Sequence, residues 1–250
     1  EAEVAWNVVG RRQPRAETDF HRDRLDRPRV SMYGLRLVER GGRFSLVGAV
    51  TNNDADPAIV SLFGDLLADG RSMVRQAAGT VHAQLLLPAE SSGFRIDFEG
   101  VLSLADEEAQ GAFDPTIFIP PELPQQPQTA RAEARSLVAG SGLYRGVALN
   151  GVRVVSGGSG PALFGTAVNT GTETATIIRV LALLYDVDGA PIWTEAGYVA
   201  TNINPGQSAP FLLELPEREE IQVIADLSDD DVIINGSNPG SAAWSVNSGT

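Results

Sequence analysis

The stretch Ile177-Ile-Arg-Val-Leu-Ala-Leu-Leu-Tyr-Asp-Val-Asp-Gly189 is apolar as far as Tyr185 apart from one arginine, and it ends in Asp188-Gly189, a common turn signal. In an extended strand alternate side chains point to opposite sides, so this stretch places apolar side chains on both. Such a strand lies inside a sheet that is covered on both faces. A buried helix gives a similar pattern, but the β-branched residues and the turn favour a strand. We therefore predict a central β-strand here.

A related unit occurs earlier in the chain. The matched segments, first against second, are Val30–Val38 with Val147–Val155, Leu46–Asn52 with Leu163–Asn169, Asp69-Gly70 with Asp188-Gly189, and Pro88–Phe94 with Pro205–Phe211. The offset is constant up to a short length change near Ala55–Pro57, and the original offset returns at Pro88–Phe94. The matched glycines, asparagines and phenylalanines predict an internal duplication. Its structural positions include Gly48 with Gly165, and Asn52 with Asn169.

Turn residues separate short apolar segments throughout both units. Gly41-Gly42 predicts a tight hairpin, and the Gly- and Ser-rich loop Ser156–Gly160 predicts a second one. About seven strands per unit, spaced by roughly 8–12 residues and without an amphipathic helix, are typical of a sandwich. The predicted fold class is all-β, with two tandem immunoglobulin-like β-sandwich domains joined by a Pro-rich linker.

The domain boundaries follow from the repeat and from composition. We predict an N-terminal arm over 1–29, a first sandwich over 30–104, a Pro-rich linker over 105–141, a second sandwich over 142–227 and a C-terminal tail over 228–250. Within the linker, Pro120–Gln128 favours an extended polyproline conformation. The segment Thr129–Val138 is expected to form one or two helical turns. In the second sandwich, Ile221–Leu227 is expected to be the last strand.

Both terminal segments carry a tryptophan in small or polar surroundings. The N-terminal arm holds Trp6 together with Arg11 and Arg12, and the tail holds Trp244. One interpretation is a pair of solvated ends. The other is that these four residues bind a neighbouring subunit, with the tryptophans as anchors and the arginines pairing with acidic surface.

Composition restricts the compartment and the partners. The 250 residues contain no cysteine, which excludes a disulfide framework and a thiolate metal site. The net charge of −13 disfavours binding to nucleic acid. No apolar run approaches the roughly 20 residues that span a bilayer. The chain starts at Glu1 rather than Met, and we expect a mature extracytoplasmic protein whose signal peptide has been removed.

A family resemblance enters at the motif Leu183–Gly189. Together with Gly165–Gly171 before it and Asn204–Phe211 after it, this motif resembles the FxLYD family of small bacterial and archaeal immunoglobulin-like domains. The family's Leu-Tyr-Asp falls on Leu184, Tyr185 and Asp186, and Ala182 replaces its leading Phe. In the first unit Phe63 is kept, but Asp65-Leu66-Leu67 replaces Leu-Tyr-Asp. The resemblance implies an extracytoplasmic β-sandwich and carries no catalytic activity or cofactor.

The sequence contains few of the residues that commonly form catalytic or metal sites. His21 and His82 are the two histidines, and no G-x-S-x-G motif is present. For Asp186 and Asp188, capping of the turn at Gly189 is the favoured interpretation over calcium binding. A weak calcium site near Asp226–Asp231 stays open, as do paired carboxylates for glycoside hydrolysis. We predict no catalytic residues, no metal site and no cofactor.

The leading hypothesis is a non-enzymatic structural or accessory subunit of a cell-surface or membrane-associated assembly. It would bind protein subunits, its own or others, through sheet edges and terminal arms. The alternative is a module that binds polysaccharide or a divalent cation. That alternative requires Tyr185, Trp193 or Tyr198 to cluster on an exposed face.

Overall fold

The computed structural model describes residues 3–12, 28–69, 71–81, 83, 85–102, 127–138, 143–157, 160–227 and 232–234. Within these ranges the chain is all-β, and its helical part is one 3-10 turn at Arg218–Glu220. The strands are β1 (Glu3–Arg12), β2 (Val30–Arg40), β3 (Arg43–Asn52), β4 (Ala58–Ala68), β5 (Arg71–Val81), β6 (Leu85–Leu86), β7 (Ser91–Leu102), β8 (Thr129–Val138), β9 (Leu143–Tyr144), β10 (Val147–Gly157), β11 (Gly160–Asn169), β12 (Ala175–Tyr185), β13 (Pro191–Tyr198), β14 (Ser208–Glu214), β15 (Gln222–Asp226) and β16 (Val232–Ile234). The predicted all-β class is confirmed.

The strands within the described ranges form three hydrogen-bonded sheets. One has the order β13-β12-β1-β9 and another the order β10-β11-β14. The largest runs β15-β2-β3-β7-β5-β4-β8-β16, with β6 beside β4. It bends at β5, which pairs with β4 over most of its length and with β7 at Thr80 and Val81. We call β2–β7 the first half of the molecule and β10–β14 the second half.

Two apolar clusters fill the interior. The first packs Phe44, Phe94 and Ile96 of β3 and β7 with Leu62 of β4, so it lies between the two arms of the largest sheet. The second packs strands β10, β11 and β14 against β12 and β13. Fully burying one large apolar side chain contributes about 1.5–3 kcal/mol, so these clusters carry much of the stability.

Strand β12 is covered on both faces. Ile178, Val180, Ala182 and Leu184 are buried in the second cluster. Leu181, on the opposite face, is buried in the first cluster. The prediction of a central strand with apolar residues on both sides is therefore confirmed.

Glycines with positive φ set the turns and bends that join these strands. Gly41 and Gly42 have φ values of 55° and 75°, and they form the two-residue turn between β2 and β3. Gly34 and Gly151, with φ values of 59° and 62°, lie at the register shifts of β2 against β3 and of β10 against β11. The predicted hairpin at Gly41-Gly42 is confirmed.

The segment Thr129–Val138 is a strand, and the helical turns predicted there are wrong. Ala130, Ala132 and Ala134 are buried while Arg131 is exposed, so the alternation has the period of a strand. Burying one face of a strand requires buried residues at every second position, and this requirement outweighs the high helix propensity of alanine.

Strand pairing also crosses the predicted domain boundaries. Glu3–Arg12, predicted to be part of an arm, forms β1 in the sheet of β12. β15 falls in the predicted second sandwich, yet it pairs with β2 of the first half. Of the predicted polyproline segment Pro120–Gln128, residues 120–126 lie outside the described part of the chain.

Candidate assembly site

β1 lies antiparallel along β12, and the pairing covers the whole length of β1. Trp6 is opposite Ala182, Arg11 is opposite Thr176, and Arg12 is at the end of the pairing. These three predicted partner-binding residues therefore lie in a sheet of the chain itself. The fourth, Trp244, lies outside the described residues.

β8 lies along β4 in the same way, with all ten of its residues paired antiparallel. Its alanines at 130, 132 and 134 are completely buried in the first cluster. Ala132 is opposite Gly64, and a Cβ at Gly64 would lie 3.0 Å from the Cδ1 atom of Ile96. The space beside Gly64 in the first half therefore fits small side chains such as that of Ala132.

The two pairings are crossed relative to the order of the chain. β1 precedes β2, but its partner β12 belongs to the second half. β8 precedes β10, but its partner β4 belongs to the first half. The resulting strand orders, β13-β12-β1 and β5-β4-β8, correspond to each other. β1 leads into the first half but pairs with a strand of the second, and β8 leads into the second half but pairs with a strand of the first.

Arg36 of β2 links the two halves at the turn after β12. Its guanidinium forms ion pairs with Asp186 and, at 2.5 Å, with Asp226 of β15. The side chains of Arg36 and Asp186 are each 13% exposed, so water screens the pair only weakly. The hydrogen bond from Arg36 lowers the pKa of Asp186 below its ordinary value, and backbone amides add to this effect.

Asp186 also organises its own turn. Its Oδ1 accepts hydrogen bonds from the backbone N–H of Asp188 at 3.0 Å and of Ala190 at 2.9 Å. Gly189 has a φ of 78°, which explains a glycine in that position. The predicted capping role of Asp186 is confirmed, whereas Asp188 contributes its backbone to the turn and has an exposed side chain. The preceding Leu184 is buried and Tyr185 is half-buried.

Trp193 of β13 lies between two arginines of the first half. The guanidinium carbons of Arg40 and Arg95 are 5.4 Å and 4.6 Å from its ring centroid. Arg95 also donates to the backbone carbonyl of Thr194 at 2.8 Å and pairs with Glu195 at 3.2 Å. Trp193 is 5% exposed and belongs to the second cluster, which also contains Val38 and Val47 of the first half. The two halves therefore share a packed junction.

A further ion pair, between Glu90 and Arg145, joins the turn before β7 to the start of β10. Burial alone raises the pKa of Glu90, but the hydrogen bonds from Arg145 and from the Leu87 backbone bring it below the ordinary value.

Sequence reasoning missed these arginines. A possible signal was an arginine inside an apolar alternation, as at Arg36 between Leu35 and Leu37, because a buried charge there requires a partner.

Asn52 and Asn169 form two matching hydrogen-bonded corners, and both residues are fully buried. Nδ2 of Asn52 donates to the carbonyls of Asp56 and Leu86 at 2.8 Å and 3.0 Å. Nδ2 of Asn169 donates to the carbonyls of Glu173 and Ile203 at 2.7 Å and 2.8 Å. Each amide oxygen accepts a backbone N–H two residues ahead. Each asparagine thus fixes the loop that follows its strand.

Gly48 and Gly165 each lie beneath a phenylalanine ring. A Cβ at Gly48 would be 3.1 Å from the ring of Phe94, and one at Gly165 would be 2.8 Å from the ring of Phe211. These glycines therefore provide room for the aromatic side chain of the neighbouring strand.

Several of the residues considered for metal or ligand binding lie outside the described part of the chain. No cluster of three or more His, Cys, Asp or Glu side chains able to hold a metal ion occurs in the part of the chain that the structure describes. His21, His82 and Asp229–Asp231 lie outside that part. Of the three aromatic residues named for polysaccharide binding, Tyr198 is exposed, Tyr185 is half-buried and Trp193 is buried.

Among the described residues, none forms a helix with the length and apolarity to cross a membrane. No protein-family model, curated protein or solved structure matches this chain.

Proposed function

We propose that the chain consists of two immunoglobulin-like β-sandwiches that arose by duplication and exchanged their leading strands. The matched corners at Asn52 and Asn169 support the duplication, because the same bonds connect counterpart positions in each half. The matched glycine–phenylalanine contacts support it as well. The motif Leu184-Tyr185-Asp186 supports a relation to FxLYD-type domains; in this chain its Asp caps the turn after β12.

We further propose that the protein is a non-enzymatic, extracytoplasmic structural or accessory subunit of a cell-surface or membrane-associated assembly. The observation that carries this proposal is the crossed pairing of β1 with β12 and of β8 with β4. A strand that completes a remote sheet through backbone hydrogen bonds is a general means of joining protein subunits. Edge strands such as β10 and β14 in the three-stranded sheet offer further backbone groups for pairing.

The net charge of −13 disfavours nucleic acid as a partner, which fits a role in binding protein subunits. Ion pairs between the halves, such as that of Arg36 with Asp186, favour a fixed shape over two mobile domains. A structural subunit that holds its partners in fixed positions benefits from such rigidity.

The test is the size and location of the native protein. A tagged full-length chain, expressed in the source cells, should fractionate with the envelope or the exterior. After mild extraction it should elute in a complex larger than the 26.5 kDa of one chain, as measured by light scattering. A monomer confined to the cytoplasm would overturn the proposal.

A further inference from the structure

We propose that the outer face of the three-stranded sheet binds a second copy of the same chain, which contributes its hairpin of β4 and β5. This inference rests on the proposed function and specifies its partner. The face is marked by one row of residues across β10, β11 and β14, namely Arg153, Phe164 and Leu212, in which neighbours lie directly opposite each other. We call it the second-half row. Arg153 is exposed and Leu212 is 59% exposed, so the row offers a cation and apolar side chains to a partner.

The equivalent row of the first half is already a docking surface. This first-half row consists of Arg36, Val47 and Arg95 across β2, β3 and β7, and it matches the second-half row at the original offset of the internal repeat. Arg36 pairs with Asp186, and Arg95 lies over the ring of Trp193 at 4.6 Å. Val47 is fully buried in the second cluster. The first-half row is therefore covered by the hairpin of β12 and β13.

The second-half row has similar chemistry with more apolar surface. Arg153 takes the place of Arg36, and its guanidinium carbon lies 4.8 Å from the ring centroid of Phe164. Leu212 takes the place of Arg95. Arginine and aromatic side chains are enriched in protein interfaces, and covering an exposed leucine is favourable. The exchange of an arginine for a leucine therefore favours a protein partner at this position.

The hairpin of β4 and β5 is the counterpart of the hairpin that covers the first-half row, because the strand orders β5-β4-β8 and β13-β12-β1 correspond. Its turn carries the exposed Asp69, and Met73 of β5 is 38% exposed. Leu67 stands at the position of Asp186 and is buried, so the carboxylate available to the arginine of the second-half row is that of Asp69. Methionine is unbranched and adapts to irregular apolar surfaces, so Met73 suits the remainder of the row.

A second copy is favoured because one molecule leaves both surfaces exposed. Leu212 in the face and Met73 in the hairpin are exposed in the same chain, so its own hairpin does not cover its own row. Between copies, the face of one chain and the hairpin of the next are available together. Their contact would repeat the junction that joins the two halves within a chain. Because the two surfaces differ, such contacts generate open chains or rings of subunits.

A charge exchange between the two surfaces tests the proposal with full-length protein. Arg153→Asp places a carboxylate against Asp69 of the neighbouring copy, and Asp69→Arg places a second cation against Arg153. Each variant alone should repel its own copies, whereas an equimolar mixture joins opposite charges at every contact between the two kinds of chain. Arg43→Asp is the matched control, because Arg43 is exposed on β3 and lies outside both surfaces. Self-association is measured by analytical ultracentrifugation from about 1 μM to about 1 mM.

We expect the wild type and Arg43→Asp to associate with equal affinity. Arg153→Asp and Asp69→Arg should each raise the dissociation constant about tenfold or more, because like charges then face each other. The equimolar mixture should recover the association of the wild type. Leu212→Glu, which removes the exposed apolar side chain, should weaken association as well. An unchanged midpoint of thermal unfolding shows that each variant is folded.

A wild-type protein that stays monomeric throughout would overturn the second copy as partner, as would association that Arg153→Asp and Leu212→Glu leave unchanged. Weakening by Arg153→Asp without recovery in the mixture would exclude the hairpin of β4 and β5 as the occupant. If the purified chain is monomeric while native material elutes as a larger complex, the proposed function stands with another partner. Monomeric native material contradicts the proposed function itself.

Discussion

Asn169 binds the carbonyls of Glu173 and Ile203 with one buried side-chain amide, and the hydroxyl of Tyr144 donates to its amide oxygen at 2.6 Å. Asn169→Ala removes the donor from the carbonyls of Glu173 and Ile203. A buried polar group without a partner costs about 1–3 kcal/mol, so we expect the free energy of unfolding to fall by about 3 kcal/mol in urea titrations. Asn52→Ala should behave alike.

The exposed Asn202 supplies the control, because Asn202→Ala should change the unfolding free energy by less than about 0.5 kcal/mol. Equal losses for Asn169→Ala and Asn202→Ala would contradict the role assigned to the buried corner.

Asp186 gives the stability of the protein a defined pH dependence. Its pKa is lowered in the folded protein, so the unfolded chain binds the proton more readily. The stability it contributes is fully present above the ordinary aspartate pKa of about 3.9, and it is lost as the pH falls through the lower folded value. Between about pH 5 and pH 2 the unfolding free energy of Asp186→Asn should therefore fall less steeply than that of the wild type.

The matched control is Asp188→Asn, on the same turn with an exposed side chain, which should keep the wild-type slope. Parallel curves for Asp186→Asn and the wild type would disprove the assignment. The sequence predicted the turn role of Asp186 from the local Asp-x-Asp-Gly pattern. It did not predict the ion pair, because Arg36 is 150 residues away and no local pattern specifies such a distance.

Among the strands, β8 shows how the size of a buried residue fixes which strand fits which half. Ala132→Trp introduces the residue that β1 carries opposite Ala182, but at a position that faces Gly64 in a filled core. We expect the unfolding free energy to fall by about 3 kcal/mol or more, measured by chemical denaturation. Arg131→Trp, at the neighbouring exposed position, should leave it nearly unchanged. Equal effects would contradict the volume argument.

Strand positions were largely predictable, whereas their partners were not. Apolar segments bounded by turn residues located β2 and β3, and the run that is apolar on both faces located β12. The strand β8 was not predicted, because its three buried alanines are as compatible with a helix as with a closely packed strand. The crossed pairing has no local signal at all. Both β4 and β12 are apolar in sequence, and no local pattern identifies β8 as the partner of one and β1 as the partner of the other.

At the scale of the whole molecule, the exchanged strands should make the two halves unfold together. β8 completes the first half and leads directly into the second, while β15 follows the second half and pairs with β2. Loss of order in either half therefore removes a strand from the other. We expect one transition in differential scanning calorimetry, with equal calorimetric and van't Hoff enthalpies.

The asparagine variants probe this coupling from opposite ends. Asn52→Ala acts in the first half and Asn169→Ala in the second, yet both should lower the temperature of the same single transition. A loss of about 3 kcal/mol shifts the midpoint by roughly 6–12 °C in a protein of this size. Independent halves would instead show two transitions, with each variant moving only its own. Since β1 reaches β12 from outside the second half, one transition is what the crossed pairing requires.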